Sequence, residues 1–549
     1  MATRKASDVF VECLEAEGVR YVFGIPGEET LDLNESLADS AVQFVPVRHE
    51  QGGAYMADAY GRLTGRAGVC LGTLGPGATN LVTAVADAFL DRAPLVALTG
   101  QSDLERMHKE SHQYIDVISM MRPIVKWNAR VSSPEIIPEV VRKAFAVAES
   151  EKPGSTHLEL PEDVMVRPLD ACPLPRHAPV RPEPGTRELQ RATDLIMAAE
   201  RPIILAGNGA IRTHASRALR AFVHTTGIPV AETFMAKGLI DFEDPHALGT
   251  VGLQARDYEM AGFDDADLVI AVGYDLVEHA PEKWNPRRDK QIVVIDTVSA
   301  EIDEFFLPTV ELVGDIAHVL ARLAAGVNRP QDAVVEGPRL RDLVLSELQD
   351  GADDDAFPMR PPRVLADLRR VLGRNDILVS DVGLHKLWIG RMFPAREPGT
   401  VLIANGLAGM GFALPTGIAA KLVNPSRHVV TVSGDGGFLM NCQELETATR
   451  LRTPVVNIVW ENRQFGSIVW KQDNKFGRHF GVDFGGTDFV KLASAFGAPA
   501  WRCESAGEFA QRLTQALELD VPSVIAVPID YHSIDVAMSS KLGVETVAT

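Results

Sequence analysis

The chain has 549 residues, of which 46% are hydrophobic and 23% charged, a composition typical of globular proteins rather than disordered ones. This length suits about three domains of ordinary size, each with its own core. The formal net charge is −20, and no basic block offsets it, which argues against a nucleic-acid partner.

Cysteine usage indicates a reducing compartment. The chain has five cysteines, scattered along it and without metal-ligand spacing: Cys13, Cys70, Cys172, Cys442 and Cys503. Such usage is typical of intracellular proteins. The first ten residues also lack the apolar core of a signal peptide. We therefore expect a cytoplasmic location.

Two uncharged stretches, 67–86 and 401–420, are about as long as a membrane-spanning helix. Both contain several glycines and a proline, which are not typical of a continuous span. Each stretch favours instead a buried strand, a tight glycine-rich turn and a buried helix. We therefore expect no membrane partner.

Proline-rich segments predict two domain boundaries. Six prolines lie between residues 168 and 184, and neither a helix nor a central strand tolerates that density. A second boundary is predicted at 349–363, where three consecutive aspartates precede three prolines. The predicted domains are therefore 1–167, 185–330 and 358–535.

Each predicted domain alternates short apolar runs with helical patterns, which is typical of parallel α/β sheets. Strands are predicted at 21–25, 44–47, 69–74, 203–206, 268–272, 292–295, 377–380, 429–433 and 455–460. The expected fold class is α/β, with three doubly wound parallel-sheet domains. The first and last domains each have a glycine-rich turn within an uncharged stretch, so an internal duplication is a reasonable hypothesis.

A candidate binding site lies in the last domain. The strand predicted at 429–433 stops at Gly434-Asp435-Gly436, and the strand after the next predicted helix (443–452) ends just before Asn462. Parallel strands joined by a helix bring their carboxyl ends together, where open α/β sheets bind ligands. Asp435 and Asn462 offer hard oxygen ligands, and the glycine N–H groups suit an anion. The pattern predicts a magnesium–diphosphate site.

This motif resembles the diphosphate-binding motif of thiamine diphosphate (ThDP) enzymes, in which Asp, Asn and a backbone carbonyl two residues on hold Mg²⁺. The domain order also resembles that of the ThDP decarboxylase and carboligase superfamily: pyrimidine-binding, central and diphosphate-binding domains. Many relatives have Asn-Asn where this chain has Glu461-Asn462. The resemblance implies Asp435, Asn462 and Gln464 as metal ligands, and Gly434, Gly436 and Gly437 as further cofactor contacts.

The resemblance also implies which residues contact the rest of the cofactor. Glu50, within Arg48-His49-Glu50-Gln51, matches the activating glutamate that hydrogen-bonds the aminopyrimidine ring; taken alone, such a glutamate usually compensates a helix dipole. Met410 matches the apolar wedge that bends ThDP, although a methionine is more often a core residue. The Gly409 carbonyl would accept the pyrimidine amino group.

Further contacts are implied near the diphosphate and the substrate. Gly383 and His385 resemble residues beside the diphosphate, and His385 could equally be structural. Gly27, His112 and Gln113 resemble residues that face the reacting carbonyl and its carboxylate, where charge develops. A polar loop without a role is the competing interpretation of His112-Gln113.

Within the superfamily, segments 47–53, 75–80 and 434–450 are most similar to acetolactate synthases. The FAD-containing biosynthetic enzymes usually carry Gly-Met-His-Gly and Arg-Phe-Asp-Asp-Arg, where this chain has Gly252-Leu253-Gln254-Ala255 and 274–279 (YDLVEH). Residues 274–285 resemble the catabolic, FAD-independent enzymes, so we expect no flavin. Lys471 stands where the biosynthetic enzymes have a tryptophan associated with 2-ketobutyrate.

The resemblance implies a ThDP- and Mg²⁺-dependent acetolactate synthase that decarboxylates pyruvate and joins the two-carbon unit to a second pyruvate. Alternatives are another ThDP enzyme with a different 2-oxo acid or aldehyde, a flavin-linked 2-oxo acid oxidase, or a non-catalytic paralogue. Lys471, if it faces the pocket, would favour an acceptor with a second anionic group. The cofactor of this superfamily lies between two subunits, which implies a homodimer or homotetramer.

Overall fold

The computed structural model describes residues 4–176, 181–253, 257–328 and 340–531. These ranges contain three six-stranded sheets in succession along the chain. Every strand pair in each sheet is parallel. The predicted fold class, three parallel α/β domains, is confirmed. Residues Gln254 and Ala255 of the compared central-domain motif lie outside the described ranges.

The first sheet contains β1 (Tyr21–Gly24), β2 (Gln43–Pro46), β3 (Gly68–Gly72), β4 (Leu95–Gln101), β5 (Trp127–Arg130) and β6 (Ser155–Pro161). The strand order across it is β2-β1-β3-β4-β6-β5. Its helices are α1 (Ala6–Ala16), α2 (Leu31–Ala38), α3 (Glu50–Thr64), α4 (Pro76–Leu90), α5 (Val117–Met121), α6 (Ile137–Glu149) and α7 (Glu162–Met165). Short 3₁₀ helices lie at Glu28–Thr30, Leu104–Arg106, Arg122–Ile124 and Pro134–Ile136.

The central sheet contains β7 (Pro202–Ala206), β8 (Val230–Thr233), β9 (Ala247–Val251), β10 (Leu268–Val272), β11 (Gln291–Asp296) and β12 (Val310–Val313). The strand order is β12-β11-β10-β7-β8-β9. Its helices are α8 (Thr186–Ala198), α9 (Asn208–Arg212), α10 (Ser216–Thr226), α11 (Asp257–Met260) and α12 (Ile316–Gly326), with 3₁₀ turns at Phe234–Ala236 and Pro281–Lys283.

The third sheet contains β13 (Ile377–Ser380), β14 (Val401–Ile403), β15 (Val429–Gly434), β16 (Val455–Glu461), β17 (Ala500–Arg502) and β18 (Ser523–Pro528). The strand order is β14-β13-β15-β16-β18-β17. Its helices are α13 (Leu340–Ala352), α14 (Pro361–Val371), α15 (Leu384–Met392), α16 (Ala413–Val423), α17 (Asp435–Asn441), α18 (Glu444–Arg450), α19 (Gly466–Phe476), α20 (Phe489–Ala495) and α21 (Ala506–Leu517).

The central strands of all three sheets are apolar runs because helices cover both of their faces. β3, β4, β7 and β10 are buried at every position. Such continuous burial is what a parallel sheet between two helical layers requires. The short apolar runs in the sequence therefore predicted strands correctly, with bounds that differ by one or two residues.

The first and third domains share one hydrophobic core, in which α3 packs against α16. The rings of Tyr55 and Phe412 meet edge to face at 5.4 Å in this contact. The uncharged stretches 67–86 and 401–420 each form a buried strand, a turn and a helix, as expected. None of the helices in the described ranges is long and apolar enough to cross a membrane.

One local feature differs from the prediction for the last domain. The sequence predicted a turn at Gly434-Asp435-Gly436 followed by a helix at 443–452. In the structure α17 begins at Asp435 itself, and α18 follows after Gln443. Gly434 is extended and acts as the N-cap residue, so the strand passes directly into the helix. Asp435 thereby lies in a first helical turn, where a carboxylate is favoured.

Candidate active site

Asp435 lies where the carboxyl ends of β15 and β16 meet, since the register of the two strands extends to Gly434. Its carboxylate accepts hydrogen bonds from the backbone N–H groups of Gly436 (2.9 Å), Asn462 (3.0 Å) and Arg463 (2.6 Å). One side chain therefore joins the two strand ends. Asp435 and Asn462, which are 27 residues apart in the sequence, are adjacent in space.

The electrostatics of this edge suit a cation. Burial raises the pKa of the Asp435 carboxyl above its ordinary value, and the backbone N–H donors partly offset that effect. Gln464 donates from its side-chain amide to Asp483 at 2.7 Å. The resemblance assigns the backbone carbonyl of Gln464, not this side chain, to the metal. Carboxylate, amide and carbonyl oxygens are the donor types that Mg²⁺ prefers. The residues present therefore fit a magnesium–diphosphate pair.

The two glycines after Asp435 lie where a larger residue would force neighbouring side chains to shift. A Cβ atom at Gly436 would lie 2.9 Å from the Phe465 ring, and one at Gly437 would lie 3.3 Å from the Asp381 carboxylate. Both distances are shorter than ordinary van der Waals contact. The backbone is therefore closely approached from both sides, as a cofactor-binding turn requires.

His385 lies in the first turn of α15, between two glycines of the predicted site. Its ring is buried and would contact a Cβ atom at Gly383 (2.7 Å) and at Gly434 (3.5 Å). Burial lowers the pKa of His385 to about 3, so the ring is neutral at physiological pH. Its Nε2 is buried and has no hydrogen-bond partner in the described structure. An unsatisfied buried ring nitrogen is costly, and a ligand atom would satisfy it.

Asp381 is a residue of this edge that the sequence interpretation missed. It follows β13, is buried, and accepts hydrogen bonds from the backbone N–H of Val382 (2.7 Å) and of Gly411 (3.0 Å). Burial raises the pKa of Asp381 to about 6, and the hydrogen bonds from these donors and from Ser433 partly oppose that shift. Asp381 therefore connects the end of β13 to the loop that precedes α16. Its position directly after an apolar strand, as for Asp435, was the available signal.

The loop 404–411 carries Gly409 and Met410, and it rests on the first domain of the same chain. Asp91 accepts hydrogen bonds from the backbone N–H of Asn405 (2.9 Å) and of Gly406. Asp87 accepts one from the N–H of Gly409 at 3.3 Å. Met410 is half-buried at the end of this loop. Neither aspartate was predicted, because both lie in an otherwise apolar helix pattern.

Arg62 organises these carboxylates. Its side chain is only 10% exposed and contacts Asp58 (2.6 Å), Asp91 (2.7 Å) and Asp87 (3.3 Å). A further N–H of Arg62 donates to the backbone carbonyl of Ile403, at the start of the loop. Burial, together with the neighbouring aspartates, raises the pKa of Asp87 well above its ordinary value. The loop is therefore fixed by a buried ionic network.

Glu50 is the first residue of α3 and is 6% exposed. Asn80, in the second turn of α4, donates from its side-chain amide to Glu50 Oε2 at 2.9 Å. Glu444 accepts from the backbone N–H groups of Arg48 and His49, at 3.0 Å each. Burial raises the pKa of Glu444 to about 7. The segments 47–53 and 75–80, which are both similar to acetolactate synthases, therefore meet at the Glu50 carboxylate.

Gly27, His112 and Gln113 lie in loops at the carboxyl edge of the first sheet. A Cβ atom at Gly27 would overlap the Thr73 side chain, and one at Gly75 would lie 2.5 Å from the Gln113 carbonyl. His112 is exposed in the loop after β4. The structure thus brings Gly27 and Gln113 to the same turn, which follows β3, and leaves His112 at the surface of the chain.

In the central domain, a carboxylate fills the turn after β7. Glu278 accepts from the backbone N–H of Asn208 at 2.9 Å and from the Thr233 hydroxyl. A Cβ atom at Gly207 would lie 2.8 Å from Glu278 Oε1. Burial raises the pKa of Glu278 to about 7, opposed by these hydrogen bonds. Glu278 belongs to the segment 274–285 that resembles FAD-independent enzymes.

Comparison with known proteins identifies the family. Three family models match the chain, described as the thiamine pyrophosphate (the same compound as ThDP) enzyme N-terminal TPP binding domain (residues 4–120), central domain (189–323) and C-terminal TPP binding domain (381–527). An acetolactate synthase of Bacillus subtilis (strain 168) is 35% identical over 558 residues, covering 99% of this chain and 96% of the relative. The chain belongs to the ThDP-dependent acetolactate synthase family.

Other relatives are also acetolactate synthases. The catabolic acetolactate synthase of Raoultella terrigena is 37% identical, covering 96% of this chain and 95% of the relative. The chloroplastic acetolactate synthase 1 of Nicotiana tabacum is 33% identical, covering 96% of this chain and 82% of the relative. As a member of this family, the chain is a ThDP-dependent enzyme of carboligation, which confirms the predicted family and enzyme class.

Proposed function

We propose that this acetolactate synthase family member converts two pyruvate molecules and one proton into 2-acetolactate and CO₂, with ThDP and Mg²⁺ as cofactors. The observation that carries the proposal is the Asp435 carboxylate, which joins the ends of β15 and β16 beside Asn462. The similarity to acetolactate synthases extends over nearly the whole chain. The proposed domains are 1–167, 185–330 and 358–535, in a cytoplasmic protein.

The diphosphate end of the cofactor is assigned to the third domain. Asp435, Asn462 and the Gln464 carbonyl would hold Mg²⁺, and the N–H groups of Gly436 and Gly437 would face the diphosphate. The unpartnered Nε2 of His385, next to Gly383 and Gly434, would form a hydrogen bond with a cofactor atom. The Gly409 carbonyl and the Met410 side chain would orient the pyrimidine ring.

When bound, ThDP would supply a carbon nucleophile for the 2-oxo carbon and accept the electron pair released by decarboxylation. Glu50, held by Asn80, would exchange a proton with the aminopyrimidine nitrogen and so control when that nucleophile forms. Gly27, His112 and Gln113 would line the substrate end and place N–H donors near the developing charge. Exclusion of water from this region would favour carboligation over simple protonation.

We propose that the enzyme is a homodimer or a dimer of dimers. Asn80, which holds Glu50, and Asp91, which binds the loop before Met410, are 11 residues apart along α4 and its C-cap, or about 16 Å along a helix. One chain therefore separates its own activating glutamate from its own cofactor loop. Exposed apolar residues follow the diphosphate site, with Phe476 and Phe480 exposed by 65% and 89%. A second copy would cover them and supply the missing half.

We propose that no flavin binds. The turn after β7 is where a doubly wound domain would receive a dinucleotide phosphate. Glu278 already accepts the Asn208 N–H there, so the donor that a phosphate would use is occupied. A visible absorbance spectrum of the purified protein tests this point, since a bound flavin absorbs near 450 nm. That band would also be the first sign of a 2-oxo acid oxidase.

A second candidate function is carboligation with a larger or dianionic acceptor. Lys471 lies half-buried on α19, the helix that follows the Asn462–Gln464 segment. A cation at this position would favour an acceptor with a second carboxylate over plain pyruvate. Product analysis with pyruvate alone, and with pyruvate plus 2-oxoglutarate or 2-ketobutyrate, separates these possibilities.

The decisive experiment is ¹H NMR of the purified protein with pyruvate, ThDP and Mg²⁺. We expect 2-acetolactate to accumulate, and Glu50→Gln to abolish its formation while ThDP still binds. Glu301→Gln, at an exposed glutamate of the central domain, is the matched control and should retain full activity. Untouched pyruvate would overturn the substrate assignment, and failure to bind ThDP would indicate a non-catalytic paralogue.

A further inference from the structure

One cavity between the domains contains none of the residues proposed to hold the cofactor. It has a volume of about 650 Å³ and is lined by residues of all three domains and of the linker around Arg181. Eight of the lining residues are arginines and four are carboxylates. The chain as a whole has a net charge of −20, so this concentration of arginine runs against the composition. A cleft lined by one sign of charge attracts ligands of the opposite sign.

Five of these arginines are neutralised by neighbours. Arg62 binds the Asp58–Asp91 network, while Arg92, Arg176, Arg181 and Arg220 each form an ion pair with an aspartate or glutamate. They build the walls of the cavity and hold the domains together. They do not account for the excess positive charge.

The other three arginines are left with capacity for a ligand. Arg212 reaches Glu151 through one nitrogen at 3.3 Å, whereas its Nε and Nη1 are buried without a hydrogen-bond partner in the described structure. Arg217, which is exposed, and Arg427, which is half-buried, form no ion pair within the described ranges. Buried guanidinium N–H groups without acceptors are costly, and the planar fork of arginine matches phosphate oxygens.

The remaining walls are apolar and indicate an organic ligand. Leu63, Pro94, Ile211 and Met235 line the same cavity. A volume of this size is within the usual range for small-molecule sites, about 300–1,000 Å³. An inorganic anion alone would leave the apolar part unfilled. The cavity fits a molecule with a compact apolar body and one or more phosphate groups.

We propose that this cavity binds a phosphorylated organic anion of nucleotide size, held by Arg212, Arg217 and Arg427. The ligand would contact all three domains and thereby stabilise their arrangement. Through Arg62, which lines the cavity and donates to the Ile403 carbonyl, the site is also connected to the loop that carries Met410. The site is separate from the proposed reaction and does not depend on its substrate.

The test is calorimetric titration of the full-length protein, saturated with ThDP and excess Mg²⁺, using ADP as the probe. We expect one ADP site per chain, weakened at least about tenfold by Arg212→Gln and several-fold by Arg217→Gln or Arg427→Gln. Arg322→Gln, at an exposed arginine of α12 outside the cavity, is the control and should leave binding unchanged. Affinity should also fall as salt concentration rises.

Further titrations show which part of ADP is recognised and at which site it binds. Inorganic phosphate that binds more weakly than ADP, with the same dependence on Arg212, supports the anion site and shows that the apolar walls contribute. Adenosine binding as tightly as ADP would overturn the proposal, as would loss of ADP binding in Asp435→Asn, which would place ADP at the diphosphate site. Absence of heat with both ADP and phosphate would also overturn it. Acetolactate formation is measured separately, so either proposal can fail alone.

Discussion

The first and third domains are built on the same topology and differ in what their loops carry. Their strand orders, β2-β1-β3-β4-β6-β5 and β14-β13-β15-β16-β18-β17, are identical when each domain is numbered from its own first strand. An internal duplication would leave this pattern. The shared topology creates the same crevice at the carboxyl edge of each sheet, and side chains alone decide its chemistry.

The clearest contrast is in the turn after the third strand of each domain. The first domain has Gly75-Pro76-Gly77 after β3, and the third has Gly434-Asp435-Gly436 at the end of β15. In each, the first glycine is the N-cap of the next helix and the middle residue is its first residue. Proline offers neither a donor nor a ligand there, whereas aspartate joins two strand ends and can bind a cation. One position therefore separates a structural turn from a candidate metal site.

A second contrast lies between the second strand and the following long helix. In the first domain this connection leads to Glu50 at the start of α3; in the third it is the loop that carries Met410 before α16. Because α3 and α16 pack against each other, each loop is positioned by both domains. The shared topology thus places the two proposed halves of the cofactor site at equivalent connections.

The largest effect is expected for Asp435→Asn, which makes the third-domain turn as neutral as that of the first. Loss of the carboxylate should abolish Mg²⁺-dependent ThDP binding and reduce acetolactate formation by about 100-fold or more. Thermal denaturation with and without ThDP and Mg²⁺ measures the binding directly. Asp473→Asn, at an exposed aspartate of α19, is the control; equal ThDP stabilisation in both variants would contradict the assignment.

The second-largest effect concerns Glu50, the carboxylate that the first domain provides. Asn80→Ala removes the hydrogen bond to Glu50 Oε2 and should lower kcat by about tenfold, with ThDP affinity nearly unchanged. The pH dependence of kcat should also shift, because the Asn80 amide no longer donates to Glu50 Oε2. Thr79→Ala changes an exposed neighbour and should do neither. A pH profile identical to that of the wild type would show that Asn80 only supports the fold.

Much of this arrangement was predictable from local pattern. Apolar runs predicted the nine strands named in the sequence analysis, because parallel strands are buried on both faces. The position of Asp435 and Asn462 after consecutive strands predicted that they meet, since the carboxyl ends of such strands share an edge. The predicted roles of the site residues, and the domain bounds, remain proposals.

The features that the sequence did not predict depend on contacts between distant segments. Asp87 lies in an apolar helix and Asp91 is its C-cap residue, and nothing nearby in the sequence indicates that the loop 404–411 will meet them. Asp381 follows a strand in the same way as Asp435, but its partners come from another loop. Local periodicity carries no information about such pairs, which only the packing of two domains creates.

A smaller effect is expected where the two domains touch. Asp91→Asn removes a charge that holds the N–H groups of Asn405 and Gly406 and should weaken ThDP affinity several-fold through disorder of the loop. Asp58→Asn is the matched control, because Asp58 pairs with the same Arg62 without touching the loop. Both variants should lose stability, and only Asp91→Asn should lose ThDP affinity. Equal ThDP affinity in the two variants would rule out the positioning role.

The last effect is on stability rather than on activity, and it tests the central domain, whose first strand is followed by a third such turn, Gly207-Asn208-Gly209. Here the carboxylate of Glu278 fills the turn, and burial raises its pKa to about 7 from an ordinary value of 4.5. A raised pKa means that the folded state favours the protonated form, so this contribution to stability is complete below pH ~4.5 and is lost as pH rises through about 7.

We therefore expect the free energy of unfolding of the wild type, relative to Glu278→Gln, to decrease between pH 5 and pH 8 by up to about 3 kcal/mol. Urea denaturation of both proteins at the two pH values measures this difference and cancels the other titrating groups. Glu282→Gln, at an exposed glutamate of the same segment, should follow the wild type at both pH values. Parallel stability curves for the wild type and Glu278→Gln would mean that Glu278 is ionised throughout. The turn after β7 would then stabilise the ionised carboxylate as well as water does.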